Sequence, residues 1–212
     1  MLTAWARNFF RGFLETIARF FRRLGVTPNQ LTATGLVLQA IVALVVASGR
    51  LPLGGVLLVF FSIFDAFDGA LARLTGQVSR FGAFFDATID RYAEALVLFG
   101  LLAHVSHTGD QTQIYLIYAS IVGSLLVSYT RAKAESLGIS CTVGILTRAE
   151  RIAVLVLGLV FGSWQPVAAL PNVLTLALWI LAIFSNITAV QRVWAVWKAT
   201  AADRQGDAAS SG

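Results

Sequence analysis

Long apolar runs, separated by short polar connections, limit what this chain can become. Several are long enough to cross a hydrocarbon core of roughly 30 Å, and a helix is the structure that satisfies its own backbone there. The composition agrees, since 57% of the 212 residues are hydrophobic and 13% are charged, unlike a soluble globular protein. The expected fold is all-α and integral to a membrane. Six transmembrane helices are expected, at about Leu31–Ser48, Leu53–Leu74, Gly82–Ala103, Gln113–Glu135, Arg148–Phe161 and Val173–Trp197. Local signals mark the breaks. Gly25-Val26-Thr27-Pro28-Asn29 interrupts the chain, with Thr27 placed to cap the next helix and Pro28 in its first turn. Gly49-Arg50-Leu51-Pro52 reads as a tight turn, and Gly162–Asn172 as a turn with two prolines.

Residues 1–24 form an expected N-terminal amphipathic interfacial helix. Trp5, Phe9, Phe13, Ile17, Phe20 and Leu24 recur at helical spacing, while Arg7, Arg11, Arg22 and Arg23 lie largely off that line. A signal peptide would need an uninterrupted apolar core and a small-residue cleavage site, and neither follows the first basic residue. Residues 25–198 make the six-helix domain. Residues 199–212 are small and polar and are expected to be a disordered tail.

The net charge of +5 is spread through the connections between apolar runs. That pattern fits membrane topology and anionic head groups, and not nucleic acid. In a six-helix arrangement Arg7–Arg23, Arg73, Arg80, Arg131, Lys133, Arg148, Arg151, Arg192, Lys198 and Arg204 fall on one side, against Arg50 on the other. The positive-inside rule then places both termini at the cytoplasm. Cys141 is the only cysteine, so neither an intrachain disulfide nor a cysteine metal cluster can form. His104 and His107 have no further ligands nearby in sequence to suggest zinc.

Against this background the stretch Asp65–Asp90, DAFDGALARLTGQVSRFGAFFDATID, stands out. Carboxylates in a membrane segment are costly and mark function. Asp65 and Asp68 are three apart, and Asp86 and Asp90 four apart, so each pair shares a helix face. Ala72 and Gly82 fall on the same faces and would allow close approach. Snorkelling of a charged helix end could account for one aspartate but not for four at these spacings. Four carboxylates in a partly dry site need compensating charge. An all-oxygen ligand set of this kind suits Mg²⁺ or Mn²⁺ bound with phosphates, and two ions are the usual arrangement for displacement at phosphorus. Arg73 could add positive charge against a diphosphate.

The pattern Asp65-x2-Asp68-Gly69-x2-Ala72-Arg73-x8-Gly82-x3-Asp86-x3-Asp90 resembles the CDP-alcohol phosphotransferase signature at every defined position. The resemblance implies a six-helix membrane enzyme, commonly a homodimer, that moves a phospho-alcohol unit from a CDP-linked donor to an acceptor hydroxyl and releases CMP. It implies two Mg²⁺ ions per site, with Mn²⁺ as a substitute, on Asp65, Asp68, Asp86 and Asp90. Asp90 would also be the general base. Gly69, Arg73, Ser79 and the start of the first spanning helix, Asn29, Gln30, Leu31 and Thr32, would contact the CDP part of the donor. For Asn29 and Thr32 plain helix capping is an equal alternative. The donor would be CDP-diacylglycerol, with its tails in lipid and its cytidine at the cytoplasmic side of a prokaryotic plasma membrane.

A second basic cluster bears on the acceptor. Arg131 and Lys133 end the fourth spanning helix, Arg148 and Arg151 open the fifth, and Arg192 closes the sixth. Such a cluster would bind a second anion, an acceptor's phosphate, although the positive-inside rule alone would also put basic residues there. The stretches Ser128–Glu135 and Arg148-Ala149-Glu150-Arg151 look like the prokaryotic branch that uses inositol 1-phosphate. In that branch Lys133, Arg151 and Arg192 would hold the phosphate, and the product would be phosphatidylinositol phosphate. Glycerol 3-phosphate is the alternative acceptor. The rival class is a cation-coupled transporter, since membrane aspartates also mark ion pathways. It accounts poorly for aspartates gathered at one membrane side.

Overall fold

A computed structural model describes residues 16–165 and 171–210, and all regular structure among them is helical. Residues 16–23 form α1. It is followed by α2 (Pro28–Ala47), α3 (Leu51–Phe64), α4 (Ala66–Thr75), α5 (Arg80–Thr108), α6 (Gln111–Ser136), α7 (Arg148–Val160) and α8 (Val173–Ser210). Trp5, Arg7, Phe9, Arg11 and Phe13 of the expected interfacial helix lie outside the described residues.

Among the described residues four stretches are long and apolar enough to cross a membrane: Pro28–Ala47, Leu51–Thr75, Gln111–Ser136 and Val173–Ala201. The expected third and fifth spans also form, as α5 and α7, but stand outside this group for physical reasons. The first half of α5 carries Asp86, Asp90, Arg91 and Glu94. With 13 residues, α7 is roughly 20 Å long at about 1.5 Å per residue. Length and hydropathy therefore mark four of the six expected spans among the described residues. The expected second span is also not continuous, since regular helix lapses at Asp65 between α3 and α4. At the other end α8 runs on to Ser210, through residues expected to be a disordered tail. The alanines at 199, 201, 202, 208 and 209 favour helix there.

The chain groups into two compact units, which divide within α5 after Gly100. In the first unit α2 begins at a capping box. The Gln30 N–H donates to the Thr27 hydroxyl at 3.3 Å, and the Thr27 N–H to the Gln30 side chain at 2.9 Å. A turn at Gly49, whose φ of 82° favours glycine, sends the chain back. α2 then runs antiparallel to α3 and α4, with Val46 against Gly54, Gly35 against Asp65, and Thr32 against Asp68. α5 packs on α2 where Gly100 meets the Ala43 backbone. Ala18 of α1 is buried with Leu31, Phe67, Ala70 and Leu71. Phe21, Phe64 and Phe67 continue that cluster in edge-to-face contacts at 6.0 and 5.8 Å. Phe20 and Leu24 point outward, beside exposed Arg19, Arg22 and Arg23.

In the second unit α6 and α8 meet along a seam of small and polar residues. Gly123 lies against Ser185 and Asn186, and the Asn186 side chain donates to the carbonyls of Ala119 at 3.1 Å and Ala182 at 2.7 Å. Gly158 brings α7 against Ala177 of α8. Close backbone approach through small residues, with polar side chains bridging, is how helices associate in lipid. The loop before α7 is clamped to α8, with the Leu146 N–H donating to the Thr188 hydroxyl at 3.1 Å.

Candidate active site

The turn between α4 and α5 builds the site. α4 ends at Gly76 in the left-handed region, with φ 67°, and the Gln77 N–H donates to the Ala72 carbonyl at 3.0 Å. Three residues on, Ser79 caps α5: its hydroxyl accepts from the Gly82 N–H at 3.0 Å and its carbonyl from the Ala83 N–H at 3.1 Å. The chain thereby folds the second half of the aspartate motif back beside the first.

Between them lies a cleft of about 300 Å³, the lower end of the usual range for ligand pockets. Pro28, Asn29 and Thr32 of α2 form one wall, and Asp68, Gly69, Ala72 and Arg73 of α4 a second. Gln77, Val78 and Ser79 of the turn, with Gly82, Ala83 and Asp86 of α5, complete it. Two helix N-termini, those of α2 and α5, thus open on one space. The partial positive charge at helix N-termini favours an anion. The Arg73 guanidinium lies over Gly69, 3.4 Å from where a side chain there would begin. Gly82 leaves room between Asn29 and Ser79, whose oxygens sit 3.5 and 3.0 Å from the place of its missing Cβ. Cation and helix ends together suit a phosphate or diphosphate.

The expected site residues are placed unequally. Asn29, Thr32, Gly69, Arg73 and Ser79 share the cleft with Asp68 and Asp86. Gln30 and Leu31 do not line it. Gln30 is spent on the capping box, and Leu31 is core, 3% exposed. Thr32 is not a cap either, because its hydroxyl donates to Asp68 Oδ2 at 2.6 Å or to the Pro28 carbonyl at 3.1 Å. The Gly69 N–H donates to the other oxygen of Asp68. Asp65 faces α2, with Oδ1 2.7 Å from the position a Cβ on Gly35 would take. Asp90 is half-buried one turn beyond Asp86 on α5.

Among the described residues no three His, Cys, Asp or Glu side chains converge as a ready-made ligand set. Asp65 stands in the break between α3 and α4 and Asp68 on α4, while Asp86 and Asp90 both stand on α5. The donor chemistry nonetheless fits a hard divalent ion. Asp68 and Asp86 line one cleft, with the Thr32 hydroxyl on Asp68, and oxygen ligands of this kind suit such an ion. Sequence reading missed Gly35, Pro28, Gln77 and Val78. Gly35 carried a signal, since glycine inside a helix costs about 1 kcal/mol against alanine and usually marks close approach.

The basic cluster belongs to the second unit and divides by burial. Arg192 and Arg151 are buried, at 4% and 2% exposure. Arg192 donates through Nε to the Val143 carbonyl at 2.9 Å and through Nη1 to the Val127 carbonyl at 2.5 Å. Arg151 reaches the Leu146 carbonyl at 3.4 Å. Arg131 and Lys133 are exposed, Arg131 pairs with Glu135 at 2.8 Å, and Arg148 is half-buried at the start of α7. Such a group of guanidinium ions favours an anion.

Comparison with known proteins points the same way. Residues 25–184 match the family model of CDP-alcohol phosphatidyltransferases. Archaetidylinositol phosphate synthase of Pyrococcus horikoshii is 36% identical over 182 residues, 85% of this chain and 89% of that one. Phosphatidylinositol phosphate synthase of Mycobacterium tuberculosis is 35% identical over 194 residues, 91% of this chain and 89% of that one. The crystal structure of the M. tuberculosis synthase with CDP-DAG bound superposes with a TM-score of 0.81 at 35% identity, covering 87% of this chain and 93% of that one. The same synthase with manganese and citrate gives a TM-score of 0.80 at 35% identity, covering 87% and 88%.

Proposed function

The chain belongs to the CDP-alcohol phosphatidyltransferase family, and from that premise we propose that it transfers the phosphatidyl group of CDP-diacylglycerol to a hydroxyl of inositol 1-phosphate. CMP and phosphatidylinositol phosphate are the products. The observation that carries this reading is the cleft itself, where Arg73, two helix N-termini, Asp68 and Asp86 meet. That combination supports a donor that is a diphosphate.

Each part of the chain has a task in this reading. Arg73 and the N-termini of α2 and α5 bind the diphosphate, and Asn29, Gly69 and Ser79 hold the nucleotide end. Asp65, Asp68, Asp86 and Asp90 hold two Mg²⁺ ions, with Mn²⁺ as a substitute. When bound, the ions offset the carboxylate charge and polarise the oxygens at the reacting phosphorus. Asp90 takes the proton of the acceptor hydroxyl. The hydroxyl oxygen forms a bond to the phosphorus that bears diacylglycerol, and the bond from that phosphorus to the CMP oxygen breaks. CMP leaves with the electron pair. Positioning and charge stabilisation supply most of the rate. Arg151, Arg192 and Lys133, with Arg131 and Arg148 around them, bind the acceptor's phosphate. The relatives that act on inositol phosphates support this choice.

The sequence supports a six-helix protein of a prokaryotic plasma membrane, with an interfacial N-terminal helix and the aspartate motif at the cytoplasmic side. The family resemblance supports a homodimer. The test is CMP release by the purified protein with CDP-diacylglycerol and Mg²⁺. Inositol 1-phosphate is expected to support turnover, and chelation to stop it until Mg²⁺ or Mn²⁺ is restored. Turnover with glycerol 3-phosphate alone would replace the acceptor, and turnover in excess chelator would remove the metal from the reading.

A further inference from the structure

α2 touches both carboxylates of the first half of the motif, at two positions one turn apart. Thr32 and Gly35 are three residues apart on α2, and Asp68 and Asp65 are three apart on the helices that run antiparallel to it. At one level the Thr32 hydroxyl donates to Asp68 Oδ2 at 2.6 Å, while the Gly69 N–H donates to Oδ1. Both oxygens of Asp68 are thereby fixed. A hydroxyl has one proton, so Thr32 serves either Asp68 or the Pro28 carbonyl at 3.1 Å, and the shorter, charge-assisted bond is the stronger. At the next level the contact is steric. Asp65 Oδ1 stands 2.7 Å from the place of a Cβ on Gly35. No real Cβ tolerates an oxygen that close, so any other residue at 35 forces the carboxylate to move.

We infer that Gly35 and Thr32 are positioning residues, and that α2 is the template that sets Asp65 and Asp68 for a divalent cation. The inference rests on the proposed role of both aspartates as metal ligands. Metal–oxygen distances tolerate only about 0.2 Å of error, so a displaced carboxylate is a lost or weakened ligand. Neither residue needs to touch the ion. Gly35 acts by the side chain it lacks and Thr32 by a single hydrogen bond, as outer-shell partners of metal ligands do.

The test is direct Mn²⁺ binding by the full chain in detergent, without donor or acceptor, alongside CMP release. Omitting the donor removes any contribution of Thr32 to holding CDP. Gly35→Ala and Thr32→Val are each expected to weaken Mn²⁺ binding by about 10- to 100-fold. Thr32→Ser, which keeps the hydroxyl, is expected to bind as the unaltered protein does. Gly54→Ala, at an equally tight contact with Val46 on the same helix pair, is expected to lower thermal stability and leave Mn²⁺ binding unchanged. Asp65→Asn tests the premise separately: if it binds Mn²⁺ normally, Asp65 is not a ligand. If Asp65→Asn weakens binding while Gly35→Ala or Thr32→Val does not, the ligand assignment stands and the inference is overturned. Should Gly35→Ala fail to fold, Thr32→Val decides the matter by the same measurement.

Discussion

Replacing Arg192 by lysine keeps the charge and removes the planar fork, which makes it a sharp probe of the second unit. Arg192 is 4% exposed and bridges two backbone carbonyls, Val143 at 2.9 Å and Val127 at 2.5 Å. Those carbonyls sit on separate segments, the loop before α7 and the end of α6. A lysine ammonium is a single point on a flexible stem and cannot hold both, so one of the two bonds is lost. A hydrogen bond from a charged donor contributes about 1.5–3 kcal/mol. Losing one is therefore expected to shift the opening equilibrium of the loop by about 10- to 100-fold. The Leu146 N–H, which donates to Thr188 in that loop, reports the change. Hydrogen exchange followed by mass spectrometry should show residues 138–147 exchanging about 10- to 100-fold faster in Arg192→Lys. The α2–α3 hairpin should keep its protection. The KM for the acceptor should rise as well, with the KM for CDP-diacylglycerol unchanged. Unaltered exchange in the loop would refute the clamp.

Two further substitutions test the first unit. Arg73→Ala removes the guanidinium over Gly69 and should raise the KM for CDP-diacylglycerol by about 10- to 100-fold; an unchanged KM would take Arg73 out of the donor site. Gly100→Ala would put a Cβ 2.8 Å from the Ala43 carbonyl carbon, where backbone cannot yield. It should cost about 1–3 kcal/mol of stability, read as a lower unfolding temperature, with neither KM changed.

How much of this was legible in the sequence depended on whether the signal was local. Helix positions were readable because an apolar run in lipid has few alternatives. Thr27-Pro28 was readable as a helix start because capping is chemistry between near neighbours. The cleft was partly readable, since the spacings around Asp68, Gly69, Arg73, Gly82 and Asp86 depend on two helices and one short turn. Contacts between distant residues were not. Gln30 is a different case, since the Thr27-x2-Gln30 spacing is a local capping-box signal that points its side chain back to Thr27 rather than toward a donor. Leu31 looked like a neighbour of the site because Asn29 and Thr32 are, yet one residue along a helix is a rotation of about 100° and takes it into the core. Gly35 acts on Asp65, thirty positions away, and only the antiparallel pairing of α2 with α3 and α4 reveals it. The extension of α8 to Ser210 shows the opposite error. Polarity was read as disorder where alanine content favoured helix.

The division into two compact units separates two demands that the reaction makes on the chain. The residues proposed for the donor and the metal all fall before Gly100, and those proposed for the acceptor's phosphate all fall after it. The first demand is geometric. Carboxylates must be held to within a few tenths of an ångström, and α2 meets that demand with a hydroxyl, a missing side chain and a capped N-terminus that make no use of the second unit. The second demand is electrostatic. Arg151 and Arg192 are buried, and their guanidinium groups bond to backbone carbonyls. Guanidinium has five donors in a planar fork, and Arg192 uses two of its nitrogens to hold the Val143 and Val127 carbonyls together. An arginine used in this way cannot be exchanged for lysine without loosening the loop that it holds. Arg131 and Lys133, exposed at the end of α6, are under no such constraint. In the proposed acceptor site Lys133 joins the buried pair, and exposed Arg131 adds longer-range attraction that salt would screen.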